Sequence, residues 1–329
     1  MSPHSVENRY RQTPFLSRGT NKMMISTDVL NAQATITLEA KQRRLADFIV
    51  IGSAKSGTST LFLYLQRHPQ LYLPKRKEPN FFGKDENYAK GLDWYSSLFS
   101  SAQPHQLCGE ASTDYAKFPK FPETVQRIAQ TIPDVKLIYI MRHPVDRAYA
   151  YYRHVSRPSK VRETFEEHIA RTNICLESSN YMMQIERYLQ FFPKESFLFL
   201  LMEDLIDRPE ETLPQVCRFI GIDDIDLIEG DPICANNSTR FFQDILRQRV
   251  TAPLRSIPVL TKIAQSLPQS WRDVVYGMLK RSSYAKSVAQ AYQTPPMLPE
   301  TRQMLLEHFR EPNQRLAEFL DRDLSHWEQ

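Results

Sequence analysis

A glycine- and hydroxyl-rich stretch, GSAKSGTST at residues 52–60, has the composition of a loop that binds an anion. Gly52 and Gly57 let the backbone approach a ligand, and the amides from about Lys55 to Thr60 would point at an anion on the N-terminus of a following helix. The Lys55 ammonium can follow negative charge as it moves onto a bridging oxygen. That property is useful when the terminal group of the ligand is transferred. We refer to residues 52–60 as the phosphate loop.

Two other interpretations of the phosphate loop have to be compared with an anion site. A helix N-cap at Ser56 or Thr58 would leave similar residues, but the apolar run before the loop and its lysine favour the anion site. A nucleotide triphosphatase or kinase loop requires lysine directly after the second glycine, where this chain has Thr58. It also requires an aspartate after a second strand, where this chain has Arg142 and His143. The dinucleotide pattern GxGxxG is absent as well.

A second apolar run, LIYIM at residues 137–141, ends at Arg142, and Pro144 then begins a helical pattern. An arginine at the tip of a buried strand can bind a phosphate or carboxylate through two parallel hydrogen bonds. A structural ion pair with Asp146 is the alternative, and the spacing leaves both open. Arg147 is expected to be structural.

The segment KEPNFFG at residues 77–83, here named the acidic loop, lies between these two motifs. Lys77 and Glu78 precede a proline, and Phe81 and Phe82 are expected to anchor the loop in the core. A carboxylate beside an anionic ligand can accept a proton from a hydroxyl or amine. Because most exposed Lys-Glu pairs have no such role, the spacing alone favours a surface pair over a catalytic base for Glu78.

The elements that must position these motifs alternate along the chain from Asp47. Apolar runs at 48–52, 137–141 and 197–201 are each followed by a helical pattern, from about Thr58, from about Pro144, and through RPEETLPQVCRFIG to Gly221. This alternation predicts an α/β domain, a central parallel sheet flanked by helices, with ligands beyond the carboxyl ends of its strands.

From about residue 236 the pattern becomes helical and predicts a C-terminal helical cap on the same core. The stretches RFFQDILRQRV and VTAPLRSIPVL belong to this part. In the last segment six apolar residues repeat at helical spacing: Leu305, Leu306, Phe309, Leu316, Phe319 and Leu320. We expect residues 1–46 to be a loosely ordered extension with a helix near TLEAKQRRLA, and residues 47–329 to form one domain.

Composition and cysteine spacing limit the partners, metal sites and location that we expect for the protein. The chain of 329 residues has 42 Lys and Arg against 38 Asp and Glu, which are interspersed, so a nucleic-acid partner is not expected. Neither the polar N-terminus nor the run FLFLLMEDLI predicts a membrane span. Four widely spaced cysteines indicate buried thiols in a reducing compartment and no metal site: Cys108, Cys175, Cys217 and Cys234. We therefore predict a cytoplasmic protein.

Taken together, these motifs resemble the sulfotransferases that use 3'-phosphoadenosine 5'-phosphosulfate (PAPS), in particular the branch of heparan sulfate sulfotransferases and their bacterial relatives. GSAKSGTST is similar to the family's 5'-phosphosulfate loop, KEPNFFG to its acidic loop, and IMRHPVDRAYAYY to its 3'-phosphate motif. GEASTDY, YLQFFPKESFLFLLMEDL and RDLSHW also fit. The resemblance extends over residues 47–327 and implies a P-loop-like α/β fold.

The resemblance also implies roles for particular residues. Glu78 would be the catalytic base, and Lys55 would stabilise charge on the departing phosphate. Arg142 would bind the 3'-phosphate, and Lys77 would balance charge around the transferred group. The expected contacts to the 5'-phosphosulfate are Lys55, Ser56, Gly57, Thr58, Ser59 and Thr60. PAPS would be the co-substrate, with no metal required.

Three departures from the family pattern affect cofactor affinity and substrate rather than reaction class. Ala150 stands where the 3'-phosphate motif usually has a serine, Ala111 where the heparan enzymes have a lysine, and Asn80 where related sequences often have a histidine. The predicted activity is sulfuryl transfer to a hydroxyl or amine of a small-molecule, lipid or carbohydrate acceptor. The alternatives are a non-catalytic nucleotide-binding relative and, less favoured, a P-loop kinase.

Overall fold

The computed structural model of the protein describes residues 43–156, 163–228 and 294–329. In these ranges, five parallel strands form one sheet in the order β2-β3-β1-β4-β5. The strands are β1 (Phe48–Gly52), β2 (Leu71–Tyr72), β3 (Leu107–Ala111), β4 (Lys136–Met141) and β5 (Phe197–Leu201).

The central strands are buried on both faces. In β1, Ile49 and Ile51 pack into one hydrophobic cluster, whereas Phe48 and Val50 pack into another on the opposite side of the sheet. Every residue of β1 is buried, which explains why the sequence shows a continuous apolar run there and no polar alternation.

Helices cover both faces of the sheet. They are α1 (Thr58–Leu65), α2 (Asp85–Tyr88), α3 (Gly91–Ser97), α4 (Thr124–Thr131), α5 (Pro144–Ser156), α6 (Phe165–Arg171), α7 (Ile174–Glu177), α8 (Tyr181–Leu189), α9 (Met202–Asp207), α10 (Pro209–Ile220) and α11 (Pro299–Leu320). Short 3-10 turns lie at Thr113–Ala116, Lys194–Ser196 and Ser325–Glu328.

The predicted α/β architecture is confirmed. The three apolar runs form β1, β4 and β5, and the helices predicted after them begin at Thr58, at Pro144 and at Pro209. The last of these helices ends where Gly221 adopts the left-handed conformation with φ 90°, which glycine tolerates better than other residues.

Two strands, β2 and β3, were not predicted. The sequence of β3, LCGEA, contains a glycine and a glutamate, which are both disfavoured in strands. Its pairing with β1 explains the glycine, because a Cβ at Gly109 would lie 2.0 Å from the Phe48 ring. The strand therefore depends on contacts with β1 that local propensity does not show.

The predicted C-terminal helix is confirmed as α11. Leu305 and Phe309 are buried in a cluster with residues of α5, and Leu316 is buried with residues of α8. After the helix, Trp327 is 1% exposed and its ring centroid lies 5.9 Å from that of Tyr181. The C-terminal segment therefore packs on the sheet domain.

Some predicted features fall outside the described residues. These are residues 37–42 of TLEAKQRRLA, near which a helix was predicted, most of the N-terminal extension, and the predicted helical stretches between residues 236 and 260. The last four residues of TLEAKQRRLA, 43–46, are not helical. Residues 43–46 are described, and Ala46 is buried in the core, so contacts with the domain begin before Asp47. In the described ranges, no helix has the length and apolarity needed to cross a membrane.

Candidate functional site

One cleft of about 720 Å³ brings together the motifs of the two strand ends and the acidic loop. It lies beyond the carboxyl ends of β1, β3 and β4, the position at which ligands bind in open α/β sheets. Its lining includes Lys55, Gly57, Thr58, Ser59, Thr60, Lys77, Glu78, Thr113, Asp114, Lys117, Arg142, Asp146, Tyr149, Ala150 and Tyr151.

The phosphate loop turns directly from β1 into α1. Gly57 is the N-cap residue of α1 in the left-handed conformation with φ 88°, and no side chain caps the helix there. Helix geometry leaves the amides of the first turn without intrahelical acceptors, so they are suited to bind an anion in the cleft. Lys55 also has a positive φ of 75° and lines the cleft.

Ser56 differs from its neighbours in the phosphate loop. It is fully buried, its Oγ lies 2.5 Å from Ser53 Oγ, and its amide donates to the Ser53 carbonyl at 3.3 Å. Ser56 is therefore directed into the turn and does not line the cleft. The alternative of a side-chain N-cap at Ser56 or Thr58 is not observed either.

Lys77 connects the acidic loop to the phosphate loop. Its Nζ donates to Thr58 Oγ1 at 3.2 Å and to Ser59 Oγ at 2.9 Å. Burial lowers the pKa of the Lys77 ammonium below its usual value, and the neighbouring Glu78 carboxylate opposes this shift. The two loops thus place two lysines, Lys55 and Lys77, in the same cleft.

Glu78 lies at the edge of this basic cluster. Its Oε1 is 3.7 Å from Lys77 Nζ and accepts a hydrogen bond from Thr113 Oγ1 at 3.3 Å. The Glu78 backbone has a positive φ of 60°, and its amide donates to the Ala111 carbonyl at 3.0 Å. Its side chain is 37% exposed. The carboxylate is thus both oriented and accessible from the cleft.

Arg142 follows β4 and faces the same cleft. Its Nη1 lies 3.5 Å from the Lys55 carbonyl oxygen. Its backbone is held by the Tyr181 hydroxyl, which accepts from the Arg142 amide at 3.2 Å and donates to the Arg142 carbonyl at 2.7 Å. Asp146 pairs with Arg302 at 2.9 Å, so the alternative ion pair between Arg142 and Asp146 is not formed.

Arg147, in contrast, is structural, as predicted. Its side chain is fully buried and donates to Ser179 Oγ at 2.6 Å, to Ser178 Oγ at 3.0 Å and to the Cys175 carbonyl. These bonds tie α5 to the segment that includes α7.

The three departures from the family pattern differ in their positions. Ala150 lies on α5 and lines the cleft, where its methyl group offers no hydrogen-bond donor. Ala111 and Asn80 are buried and do not line the cleft. Ala150 is therefore the departure that bears most directly on ligand binding.

Two charged residues, one in the cleft and one buried next to it, were not predicted from the sequence. Lys117 is buried beside Asp114, with 2.6 Å between Nζ and Oδ1, and its Nζ lies 4.8 Å from the centroid of the Tyr151 ring. Glu110 is fully buried under the acidic loop. Glu110 belongs to the motif GEASTDY, which was noted in the sequence. Because strand β3 was not predicted, the spacing gave no reason to place this motif beside the cleft. Tyr115 and Tyr181 are buried in the core.

Comparison with known proteins identifies the family. Residues 45–246 match the model of the sulfotransferase domain, which is more than half of the chain. The protein therefore belongs to the sulfotransferase domain family.

Individual relatives agree with this assignment. The chain is 32% identical over 192 residues to heparan sulfate glucosamine 3-O-sulfotransferase 5 of Mus musculus, covering 55% of this chain and 54% of that protein. It is 32% identical over 199 residues to bifunctional heparan sulfate N-deacetylase/N-sulfotransferase 3 of Homo sapiens, covering 54% of this chain and 22% of that protein. The match thus spans about half or less of the length of these relatives.

A solved structure supports the fold. The crystal structure of a sulfotransferase from Alicyclobacillus acidocaldarius superposes with a TM-score of 0.60 at 24% sequence identity, covering 86% of this chain and 99% of that chain. The fold of this chain is thus similar to one already seen in that sulfotransferase.

Proposed function

We propose that the protein transfers a sulfuryl group from PAPS to a hydroxyl or amine of a small-molecule, lipid or carbohydrate acceptor and releases 3',5'-ADP. The observation that carries this proposal is the convergence of the phosphate loop, the acidic loop and Arg142 in one cleft. These segments are far apart in the sequence. The fold nevertheless brings two lysines, an arginine and an accessible carboxylate together in the cleft, which favours a shared function for them.

The residues of the cleft fit a ligand that carries two separate anionic groups. The uncapped amides of α1, together with Lys55 and Lys77, suit a 5'-phosphosulfate. Arg142 follows the adjacent strand and suits a 3'-phosphate. PAPS supplies an activated sulfuryl group when it is bound.

The residues of this chain would divide the chemistry among them. Glu78 accepts the proton of the acceptor hydroxyl or amine as the acceptor oxygen or nitrogen bonds to sulfur. Lys55, Lys77 and the loop amides stabilise the negative charge that develops on the phosphate of the departing 3',5'-ADP. Arg142 holds the nucleotide in line with the acceptor, and such positioning contributes much of the rate in transfers with loose transition states.

The experiment combines a transfer assay with a binding assay. The parent protein is incubated with labelled PAPS and a broad acceptor panel, and binding of 3',5'-ADP is measured by calorimetry. We expect Lys55→Ala to weaken nucleotide binding, Glu78→Ala to abolish turnover while nucleotide binding is retained, and Lys75→Ala to change neither. Lys75 is an exposed lysine outside the cleft and is the matched control. Absence of both transfer and 3',5'-ADP binding in the parent would sink the proposal.

The same assays test a second candidate, a non-catalytic nucleotide-binding protein. The observation in its favour is Ala150, which removes a donor from the cleft wall. A pure binding protein would bind 3',5'-ADP, transfer nothing to any acceptor, and lose no activity in Glu78→Ala.

We also propose that residues 47–329 form one sulfotransferase domain and that the protein is cytoplasmic. The location is supported by Cys108, Cys175 and Cys217, which are buried free thiols as expected in a reducing compartment. Cell fractionation with a tagged full-length chain tests the location. Limited proteolysis tests the domain boundary.

A further inference from the structure

Glu110 is a buried carboxylate to which the proposed mechanism gives no role. It lies in β3, is fully buried, and accepts hydrogen bonds from three hydroxyls. Tyr95 donates to Oε1 at 2.8 Å, Tyr115 donates to Oε1 at 3.0 Å, and Ser112 donates to Oε2 at 2.7 Å. A carboxylate removed from water is costly to retain, so its presence calls for a reason.

Two of these hydroxyls also hold the acidic loop. Ser112 Oγ accepts a hydrogen bond from the Asn80 amide at 3.0 Å, and Tyr115 Oη accepts one from the Phe82 amide at 3.2 Å. With the bond from the Glu78 amide to the Ala111 carbonyl, every second residue of the loop is thereby tied to the segment that begins with Glu110.

The direction of the protons makes this arrangement depend on the carboxylate. A hydroxyl has one proton. Because Ser112 and Tyr115 each accept from a loop amide, each can direct its own proton to Glu110. An ionised carboxylate has two oxygens and no proton, so it accepts from both hydroxyls at once. A protonated carboxyl or an amide at the same position would itself donate and would compete with them.

We propose that Glu110 is a positioning residue: its carboxylate orients the hydroxyls of Ser112 and Tyr115, which hold the acidic loop and so fix Glu78 beside the phosphate loop. This inference rests on the proposed function, in which Glu78 is the base. It assigns to the buried glutamate a part in sulfuryl transfer that requires no contact with the ligand.

The backbone of the acidic loop explains why such fixation is needed. Glu78 has φ 60° and Asn80 has φ 51°, both in the left-handed region that residues with a Cβ adopt at a cost. Strained residues persist only where the surroundings over-determine them. The tethers from the Glu110 segment act on these two residues and on Phe82.

The surroundings of Glu110 make its charge sensitive to pH near neutrality. Burial raises its pKa to about 7, against the lowering effect of the three hydroxyl donors. The titratable and charged groups that act on it are Tyr95 from α3, Tyr115 from the 3-10 turn, Tyr188 from α8 and Glu78 from the acidic loop, and Cys108 from β3 acts on Tyr95. The carboxylate form, which orients the hydroxyls, therefore predominates only above about pH 7.

The test compares four single variants of the full chain with the parent. Ser112→Ala and Tyr115→Phe each cut one tether, and Glu110→Gln replaces the acceptor by an amide that also donates. Tyr95→Phe is the matched control: it removes a hydrogen bond to the same Oε1 atom, and it keeps the ring that packs on Phe81 and Phe82 of the loop. The readouts are hydrogen exchange of the peptide over residues 77–83, kcat, KM for PAPS, and the Kd for 3',5'-ADP.

We expect faster exchange of the loop amides in Ser112→Ala, Tyr115→Phe and Glu110→Gln, and parental exchange in Tyr95→Phe. In the first three, kcat should fall about 10- to 100-fold through displacement of the base. KM for PAPS and Kd for 3',5'-ADP should change by less than kcat, because Lys77 is the only residue of this loop that we assign to the nucleotide and Lys55, Arg142 and the loop amides of α1 remain in place. The parent should gain activity through about pH 7, and Glu110→Gln should lack that step.

Two results would overturn the inference. One is parental loop exchange in folded Glu110→Gln. The other is equal loosening of the loop in Tyr95→Phe and Tyr115→Phe, which would show general damage to the core. Should Tyr115→Phe fail to fold, Ser112→Ala tests the same link. Because exchange requires no turnover, a parent without transfer activity contradicts the proposed function and leaves the positioning role to be decided by exchange alone.

Discussion

The ammonium of Lys77 lies 2.9 Å from the Ser59 hydroxyl, so the acidic loop closes directly onto the first turn of α1. This contact joins the two loops in the lining of one cleft. It also explains the lowered pKa of Lys77, since the side chain is buried between them. The ammonium is held by two hydroxyls and lies 3.7 Å from the Glu78 carboxylate, at the point where the acidic loop meets the phosphate loop.

Lys77→Ala should therefore impair the chemical step. We expect kcat for sulfuryl transfer to fall by about 100-fold, the scale seen when one preorganised donor to a developing anion is removed. Lys75→Ala, the same change at an exposed position two residues earlier, should leave kcat unchanged. Steady-state kinetics at saturating PAPS gives the comparison, and equal kcat values for the two variants would contradict the role assigned to Lys77.

Arg142→Ala should abolish the preference for a 3'-phosphate. Hydrogen bonds to charged groups are worth about 1.5–3 kcal/mol, so the variant should bind 3',5'-ADP about 10- to 100-fold more weakly than the parent. Its affinity for 5'-AMP, which lacks the 3'-phosphate, should be nearly parental. Calorimetry with both nucleotides provides the internal control. A similar loss for both would mean that Arg142 supports the phosphate loop through the Lys55 carbonyl instead of binding the 3'-phosphate.

Ala150→Ser should strengthen nucleotide binding. The new hydroxyl would stand on the face of α5 that lines the cleft, where it can donate to the 3'-phosphate. One added hydrogen bond corresponds to a gain of about three- to tenfold in affinity for 3',5'-ADP. Titration with 5'-AMP separates this effect from a general change in the cleft, because a comparable gain for 5'-AMP would show that the hydroxyl acts elsewhere.

The sequence was sufficient to predict the parts of the fold and site that depend on local pattern. The strands β1, β4 and β5 are buried on both faces, so each appears as an apolar run, and the loops after β1 and β4 supply Lys55 and Arg142 to the cleft. The single α/β sheet and the C-terminal helix follow from the same periodicity. The structure also brings Glu78 to the cleft, although its spacing alone favoured a surface pair.

What the sequence did not predict depends on contacts between distant segments. Gly109 is required by the Phe48 ring, and Glu110 is tolerated because of hydroxyls from Tyr95, Ser112 and Tyr115. Neither residue favours a strand, so β3 was missed. Ser56 has a hydroxyl that could bind a ligand, but this hydroxyl and the Ser56 amide contact Ser53 within the turn. The residue type does not show this direction, because it depends on the geometry of the backbone.

Glu110→Gln should remove a pH dependence of stability. The folded-state pKa of Glu110 is about 7, raised from 4.5 by burial, so the folded chain binds more protons than the unfolded chain between these values. Its contribution is therefore favourable at low pH and is lost as pH rises through about 7. A shift of this size corresponds to at most about 3 kcal/mol in the free energy of unfolding.

Urea unfolding of the parent and of Glu110→Gln at pH 5 and at pH 8 measures this difference. We expect the variant to gain stability relative to the parent at pH 8 compared with pH 5. Tyr95→Phe should keep a pH dependence because the carboxyl is retained, with the loss of stability moved to higher pH because one donor that lowers the pKa of Glu110 is removed. A pH-independent difference between the parent and Glu110→Gln would show that the buried carboxyl does not titrate in this range. In the proposed positioning role, the protein with an ionised Glu110 is less stable but more active than the protein with a neutral Glu110. Such a compromise is common where function requires a buried charge.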